Sequence, residues 1–259
     1  MIRVVLSPSK AMDFDTLPLT QLSSTPQLLE EADALVEVMQ EKTASEIGTL
    51  MKLSEKLSTL NYDRFQEWNS PKTPSKQALF AFTGDTYKDI QLSDYTEQDF
   101  QDAQNKMRIL SGLYGVLRPL DLISPYRLEM GTRLKNTRGK NLYEFWSTRP
   151  LDLLNEEFES APASKRVLVN CASNEYFKVL SSNGDVNARV IEPVFKDKNK
   201  KGEFKVISFY AKRARGMMAD FIVRHGVEDA AELKNFDFGG YYYDEESSTE
   251  DSPVFLRDS

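Results

Sequence analysis

The stretch MRILSGLYGVLRPLDLISPYRLEMGTRLKNTRGK, residues 107–140, decides how the rest of the chain is read. It joins an apolar helix end, a Gly-x-x-Gly turn, a Pro break and a run of basic residues. Arg108, Arg118, Arg127, Arg133, Lys135, Arg138 and Lys140 face only Asp121 and Glu129, a net +5 in a chain whose formal charge is -7. A basic island in an acidic protein is either neutralised by the rest of the fold or aimed at something negative. Residues 196–216 form a second basic stretch, net +6, and residues 228–259 an acidic one, net -8. The charge pattern predicts a polarised surface, and overall acidity does not exclude a polyanionic partner.

The chain has 259 residues, 40% of them hydrophobic and 28% charged, which fits a single soluble domain over residues 1–259. No window approaches the roughly 18 apolar residues of a membrane span. The opening MIRVVLSPSK is too short in its apolar run for a secretory signal, so a cytoplasmic location is expected. A single cysteine, Cys171, excludes an intrachain disulfide, and with a single histidine, His225, a His/Cys-built zinc or haem site lacks ligands. No metal and no cofactor are expected, and a monomer is expected.

Working outward, residues 2–6 read as a buried strand ending in the polar turn Ser7-Pro8-Ser9-Lys10. Helical spacing runs from Pro26 to about Met39. A second helix, capped by Thr43 or Ser45 with Glu46 in its first turn, runs through Leu57, and a short third lies around 62–68. Residues 78–82 read as a strand, and 97–110 as a helix delivering the chain into the central stretch. Residues 126–130 read as extended, and 141–158 as helical. A strand over 165–170 leads into a helix-like segment, and 190–195 with 204–209 read as a hairpin. A helix then runs to His225, with a last hairpin from 241–243 and 254–256. The sum is an α/β fold, a mixed α+β sheet with surrounding helices.

Strands that end in polar turns point to a site, because ligands of parallel sheets collect beyond the strand C-termini. Ser7, Ser9 and Lys10, then Asp85, then Asn170, Ser173, Asn174 and Glu175, and finally Lys212, Arg213 and Arg215 each follow a predicted strand. Taken singly, such residues are ordinary caps and turns. Together they suit a phosphate. Neither G-x-x-x-x-G-K-[ST] nor G-x-G-x-x-G is present, which argues against nucleotide hydrolysis and dinucleotide binding. Ser7-x-x-Lys10 lacks companion acyl-transfer motifs. The turn Gly112-Leu113-Tyr114-Gly115, flanked by Arg108 and Arg118, resembles a helix-hairpin-helix over about 97–123, whose backbone N–H groups approach a DNA phosphate. It departs from that motif in glycine spacing and in Pro119. A tight turn packing Leu113 and Val116 into the core is the competing reading.

SPSKAMDF, LSGLYGVLRPLDLISPYRLEMGTRL, NCASNEYFK and ISFYAKRARGMM are similar to the signature stretches of the YaaA family of peroxide-stress proteins. The resemblance runs from Met1 to GGYYYDEESS. It implies a cytoplasmic bacterial protein that limits oxidative damage and lowers unincorporated iron. It also implies an α/β fold with a helix-hairpin-helix and a positively charged cleft that binds DNA.

On this reading Gly112 and Gly115 bring backbone to phosphate. Arg108, Arg118, Arg127 and Arg133 line one side, Lys212, Arg213 and Arg215 the other, and Lys10 closes the floor. The partner is double-stranded or distorted DNA, bound without reading bases. The alternative is an enzyme acting on nucleic acid or a phosphorylated small molecule in the same cleft, with Asp85, Glu175 or Glu245 as acid–base or metal-ligand groups. Direct iron binding by the acidic loop 244–251 would be weak and unselective, so that loop reads as a solvated turn. Cys171, directly after a buried strand, reads as a small core residue rather than a peroxide sensor.

Overall fold

Apolar runs with no polar face demand burial on both sides, and the runs at 2–6, 107–111 and 167–171 become neighbours. The computed structural model describes residues 1–258. In order, β1 (Ile2–Leu6) is followed by α1 (Leu29–Gln40), α2 (Ala44–Met51), α3 (Glu55–Gln66), β2 (Lys76–Gln77), α4 (Ala78–Ala81) and α5 (Glu97–Lys106). The central stretch supplies β3 (Met107–Ser111), β4 (Gly115–Leu117) and β5 (Leu122–Ile123). Then come α6 (Leu142–Trp146), α7 (Arg149–Phe158), β6 (Val167–Cys171), α8 (Asn174–Ser181) and β7 (Arg189–Ile191). The chain finishes with β8 (Val194–Lys198), β9 (Phe204–Lys205), α9 (Ser208–Arg224), β10 (Tyr242–Tyr243) and β11 (Val254–Arg257).

The main sheet has the order β4-β3-β1-β6-β7. β1 pairs in parallel with both neighbours, so that Leu6 lies opposite Ile109 and Cys171. β7 continues the parallel set beyond β6, and β4 closes the other edge antiparallel to β3. Every residue of β3 and β6 is buried, as expected of a parallel sheet covered on both faces. α5 and α9 pack together against β1, while α6 and α7 pack on α8, which reaches β3. A smaller sheet, β10-β11-β8-β9, stands beside α9. The chain passes from one sheet to the other at Glu192–Pro193, between β7 and β8, where Pro193 has no N–H for a ladder. Among the described residues no helix is long and apolar enough to cross a membrane.

The α/β class, the mixed sheet, the first strand and the last hairpin stand as the sequence predicts. The second helix does begin at Thr43, whose side chain accepts from the Glu46 N–H in a capping box. The helix-hairpin-helix over 97–123 does not form. α5 stops at Lys106, Met107 is already extended (φ -92°, ψ 147°), and β3 and β4 make a β-hairpin with Ser111 opposite Gly115. The helical spacing of Phe100, Ala103, Met107 and Leu110 runs on into a strand because both conformations bury that face. Two helices joined by a three-residue turn occur instead over residues 44–66, where Lys52 takes a left-handed conformation (φ 54°). The predicted strand over 78–82 is the single helical turn α4. Short apolar runs carry no period that separates a buried strand from a buried helical turn. Of the predicted strand over 204–209 only Phe204 and Lys205 pair with β8, because α9 begins at Ser208.

The hairpin turn is interior, not exposed. The Gly112 carbonyl accepts from Trp146 Nε1 at 3.0 Å, and a Cβ on Gly112 would fall 2.2 Å from the Leu128 carbonyl oxygen. Gly115, at φ +70°, is likewise buried. Because the obstructing atom belongs to backbone, Gly112→Ala is expected to cost about 1–3 kcal/mol of stability. Urea denaturation followed by circular dichroism measures it, and an unchanged midpoint would contradict this packing.

Candidate functional site

β1 and β6 end side by side, and the connections leaving them run in opposite directions, towards β3 from one and towards β7 from the other. Such a crossover opens a crevice at the strand C-termini. Ser7 and Ser173 meet there. The Ser173 N–H donates to Ser7 Oγ at 2.8 Å, and the two hydroxyl oxygens lie 3.3 Å apart. Around them is a cleft of about 660 Å³. The segment after β1 supplies Ser7, Ser9 and Lys10, and the segment after α4 supplies Thr83, Asp85 and Lys88. Tyr126, Arg127 and Leu128 form another wall. Cys171, Ser173, Glu175 and Tyr176 come from the end of β6 and the start of α8, and Lys212 and Arg215 from α9.

Backbone contacts fix these walls against one another. The Thr83 N–H donates to the Ala11 carbonyl at 3.1 Å and the Asp13 N–H to the Ala81 carbonyl at 2.8 Å, tying two rims together. Tyr87 donates its hydroxyl to the Ser7 carbonyl at 2.8 Å, and the Gly131 N–H donates to Glu175 Oε1 at 2.9 Å. α9 presses so closely on the segment after α4 that a Cβ on Gly216 would lie 1.7 Å from the Thr86 carbonyl oxygen. Only glycine permits that approach, and it carries Lys212 and Arg215 up to the cleft.

Not all the cations here are available. Glu129 binds Lys10 at 3.1 Å and Arg127 at 3.0 Å, and Asp85 binds Lys88 at 3.1 Å. Among the described residues Lys212 and Arg215 have no carboxylate partner. Spaced three apart, they share one face of α9. Arg213 falls on another face, in a second groove with Arg224, Arg257 and Asp89. There it makes a two-pronged ion pair with Asp89 and lies over the Phe209 ring, 5.7 Å from its centroid.

Several other sequence-predicted residues lie apart from the cleft. Arg108 is only 5% exposed. Its guanidinium holds Glu157 at 2.8 and 2.6 Å and the Gln104 and Met107 carbonyls at 2.8 and 2.6 Å. Burial pulls its pKa down while Glu157 opposes the shift. Arg118 is held by Asp121 and by the Thr25 carbonyl, and Arg133 is exposed away from the cleft walls. Asn170 is buried, with its amide on Glu192 and its oxygen accepting from the Ala172 N–H. Asn174 is exposed at the start of α8. Tyr126 and Tyr176, which sequence reasoning did not single out, are buried with their phenol pKa values raised by desolvation. Their only signal was their place inside LISPYRLEMG and NCASNEYFK.

Residues 2–247 match the family model described as peroxide stress protein YaaA. The chain belongs to the YaaA family. A UPF0246 protein of Pseudoalteromonas translucida (strain TAC 125) is 50% identical over 257 residues, covering 98% of each chain. UPF0246 proteins of Shewanella baltica (strain OS223), at 49% over 98% of each chain, and of Shewanella sp. (strain W3-18-1), at 48% over 99%, are similar along the same span. In this YaaA-family chain Cys171 is 1% exposed, and burial pushes its thiol up to about 12 despite the charge of Arg215 nearby.

Two outcomes follow from this geometry. Glu157→Ala leaves the buried Arg108 charge uncompensated and is expected to cost about 3–5 kcal/mol in chemical denaturation. A cost near zero would show that Arg108 finds another partner. Cys171, buried and with its thiol pushed up by desolvation, is expected to resist thiol reagents and peroxide until urea unfolds the protein. Rapid labelling of the folded protein would contradict this burial.

Proposed function

We propose that this YaaA-family protein acts in the peroxide response by binding DNA at the cleft between the ends of β1 and β6, held by phosphate contacts and with structure rather than sequence specificity. The observation that carries the reading is the pair Lys212 and Arg215, the cleft cations that no carboxylate neutralises among the described residues. The remaining lining cations are already paired; Lys10 and Lys88 are exposed and their pairs stay exchangeable in water, whereas Arg127 is held by Glu129 in a largely buried pair. Lys10 and Lys88 therefore add to the field without fixing the register. Phosphate contacts position a protein on DNA and carry little sequence information, so recognition follows the shape of the DNA.

On this reading the protein works in the cytoplasm as a monomer on double-stranded or distorted DNA, and it limits oxidative damage by covering that DNA. The lowering of unincorporated iron is an indirect effect, since the carboxylates of the 244–251 loop would hold iron weakly and without selectivity. A second reading, an enzyme on nucleic acid or on a phosphorylated small molecule, draws support from Asp85 and Glu175. Both line the cleft, where phosphate binding alone does not need them. A product that forms only with added divalent metal would favour it.

Fluorescence anisotropy of labelled duplex, bubbled and junction DNA across a salt series tests the DNA reading. The wild type is expected to bind more weakly as salt rises. The double variant Lys212→Ala/Arg215→Ala is expected to flatten the slope of log K against log salt by about 2. Absence of binding by the wild type at low salt would sink the reading.

A further inference from the structure

We propose that the cleft receives one nucleotide unit, swung out of the stack of a bound DNA strand, with its phosphate at the α9 rim and its base on the tyrosine-lined floor. The inference rests on the DNA-binding reading and says which part of the DNA enters. Size decides first. A cleft of about 660 Å³ lies within the roughly 300–1,000 Å³ of small-ligand sites. A B-DNA major groove alone is about 12 Å wide, so a duplex stays outside such a cleft.

The lining changes character with depth. Lys10, Thr83, Lys88, Glu175 and Lys212 are exposed at the rim. Tyr126, Leu128, Cys171 and Tyr176 are 5%, 3%, 1% and 9% exposed and form the floor. A cationic rim over an aromatic and apolar floor matches a ligand with an anionic end and a flat, partly apolar end. Asp85 and Glu175 add the third requirement. In a site for bare phosphate they would repel the ligand, whereas they suit the N–H donors on the edge of a base or the hydroxyls of a sugar. Glu175 is already oriented, because the Gly131 N–H holds its Oε1 at 2.9 Å. A phosphorylated nucleoside meets all three conditions. Enzymes that act on a base in duplex DNA reach it by extrusion, most readily at a mismatch.

The same chemistry could come from a free mononucleotide, and the test separates the sources. A duplex with 2-aminopurine at a mismatch is titrated with the full-length protein, reading anisotropy and 2-aminopurine fluorescence together, with calorimetry against deoxyadenosine 5′-monophosphate in parallel. The expected result is a fluorescence increase that tracks binding and is lost in Ser9→Trp, which fills the cleft without changing its charge. Asp85→Asn is expected to lower the increase without the bulk of a Trp. Thermal melting checks that both variants fold. Anisotropy that rises with no fluorescence change would overturn the extruded nucleotide and leave DNA binding standing. An increase that survives in a folded Ser9→Trp protein would likewise overturn it. Mononucleotide binding without any DNA binding would remove the DNA reading and with it the extruded nucleotide, leaving a free nucleotide as the ligand. Binding of neither would overturn both.

Discussion

The position of β1 between two parallel partners is the constraint from which the rest of the structure follows. A strand paired in parallel on both edges must release its chain at the C-terminal end, into the space that its neighbours' chains also enter. Leu6 is in register with Ile109 and Cys171, so Ser7 and Ser173 emerge at the same level and bond to each other. The cleft is therefore a product of strand order. The loops that line it add chemistry to a crevice that the sheet has already opened.

Charge is distributed on the same logic. The basic stretch at 107–140 looks in sequence like a surface for a polyanion, yet much of it is consumed inside the fold. Arg108 holds Glu157, Arg118 holds Asp121, Arg127 holds Glu129, and Arg138 holds Glu31. Two of these acids, Glu157 and Glu31, lie outside residues 107–140, so the local charge count does not include them. The cations left to face a ligand lie on α9, whose first half belongs to the second basic stretch. Its buried face reaches β1 and β6, and a narrow polar edge supplies Lys212 and Arg215.

What the sequence made legible has a physical pattern. Strands with strong apolar runs, such as IRVVL and VLVNC, were readable because burial on both faces leaves a mark on every residue. Ser7, Ser9, Lys10, Ser173 and Glu175 were readable for the same reason, as exits from β1 and β6, and they line one cleft. Asp85, Lys212 and Arg215 line it too, but Asp85 follows the helical turn α4 and the two cations lie on α9, so the strand exits expected for them are absent. The Gly112–Gly115 turn was not readable, because a glycine required for close packing and a glycine required for phosphate contact look alike in sequence. Only the Leu128 carbonyl, brought in from sixteen residues away, distinguishes them. Arg213 was misjudged through helix phase, since one position along α9 turns a side chain from the cleft to Asp89. Tyr126 and Tyr176 were missed because aromatic residues are expected in any core.

The long separations between the paired strands also govern when the site comes into being. β1 is made before both of its partners and finds β3 only after residue 107 and β6 only after residue 167. The cleft waits for Arg215. Closing such loops before any contact rewards them makes assembly slow. A chain that stops short of α9 thus carries the basic central stretch without the cleft. The basic residues of 107–140 are present long before the walls that give the crevice its shape.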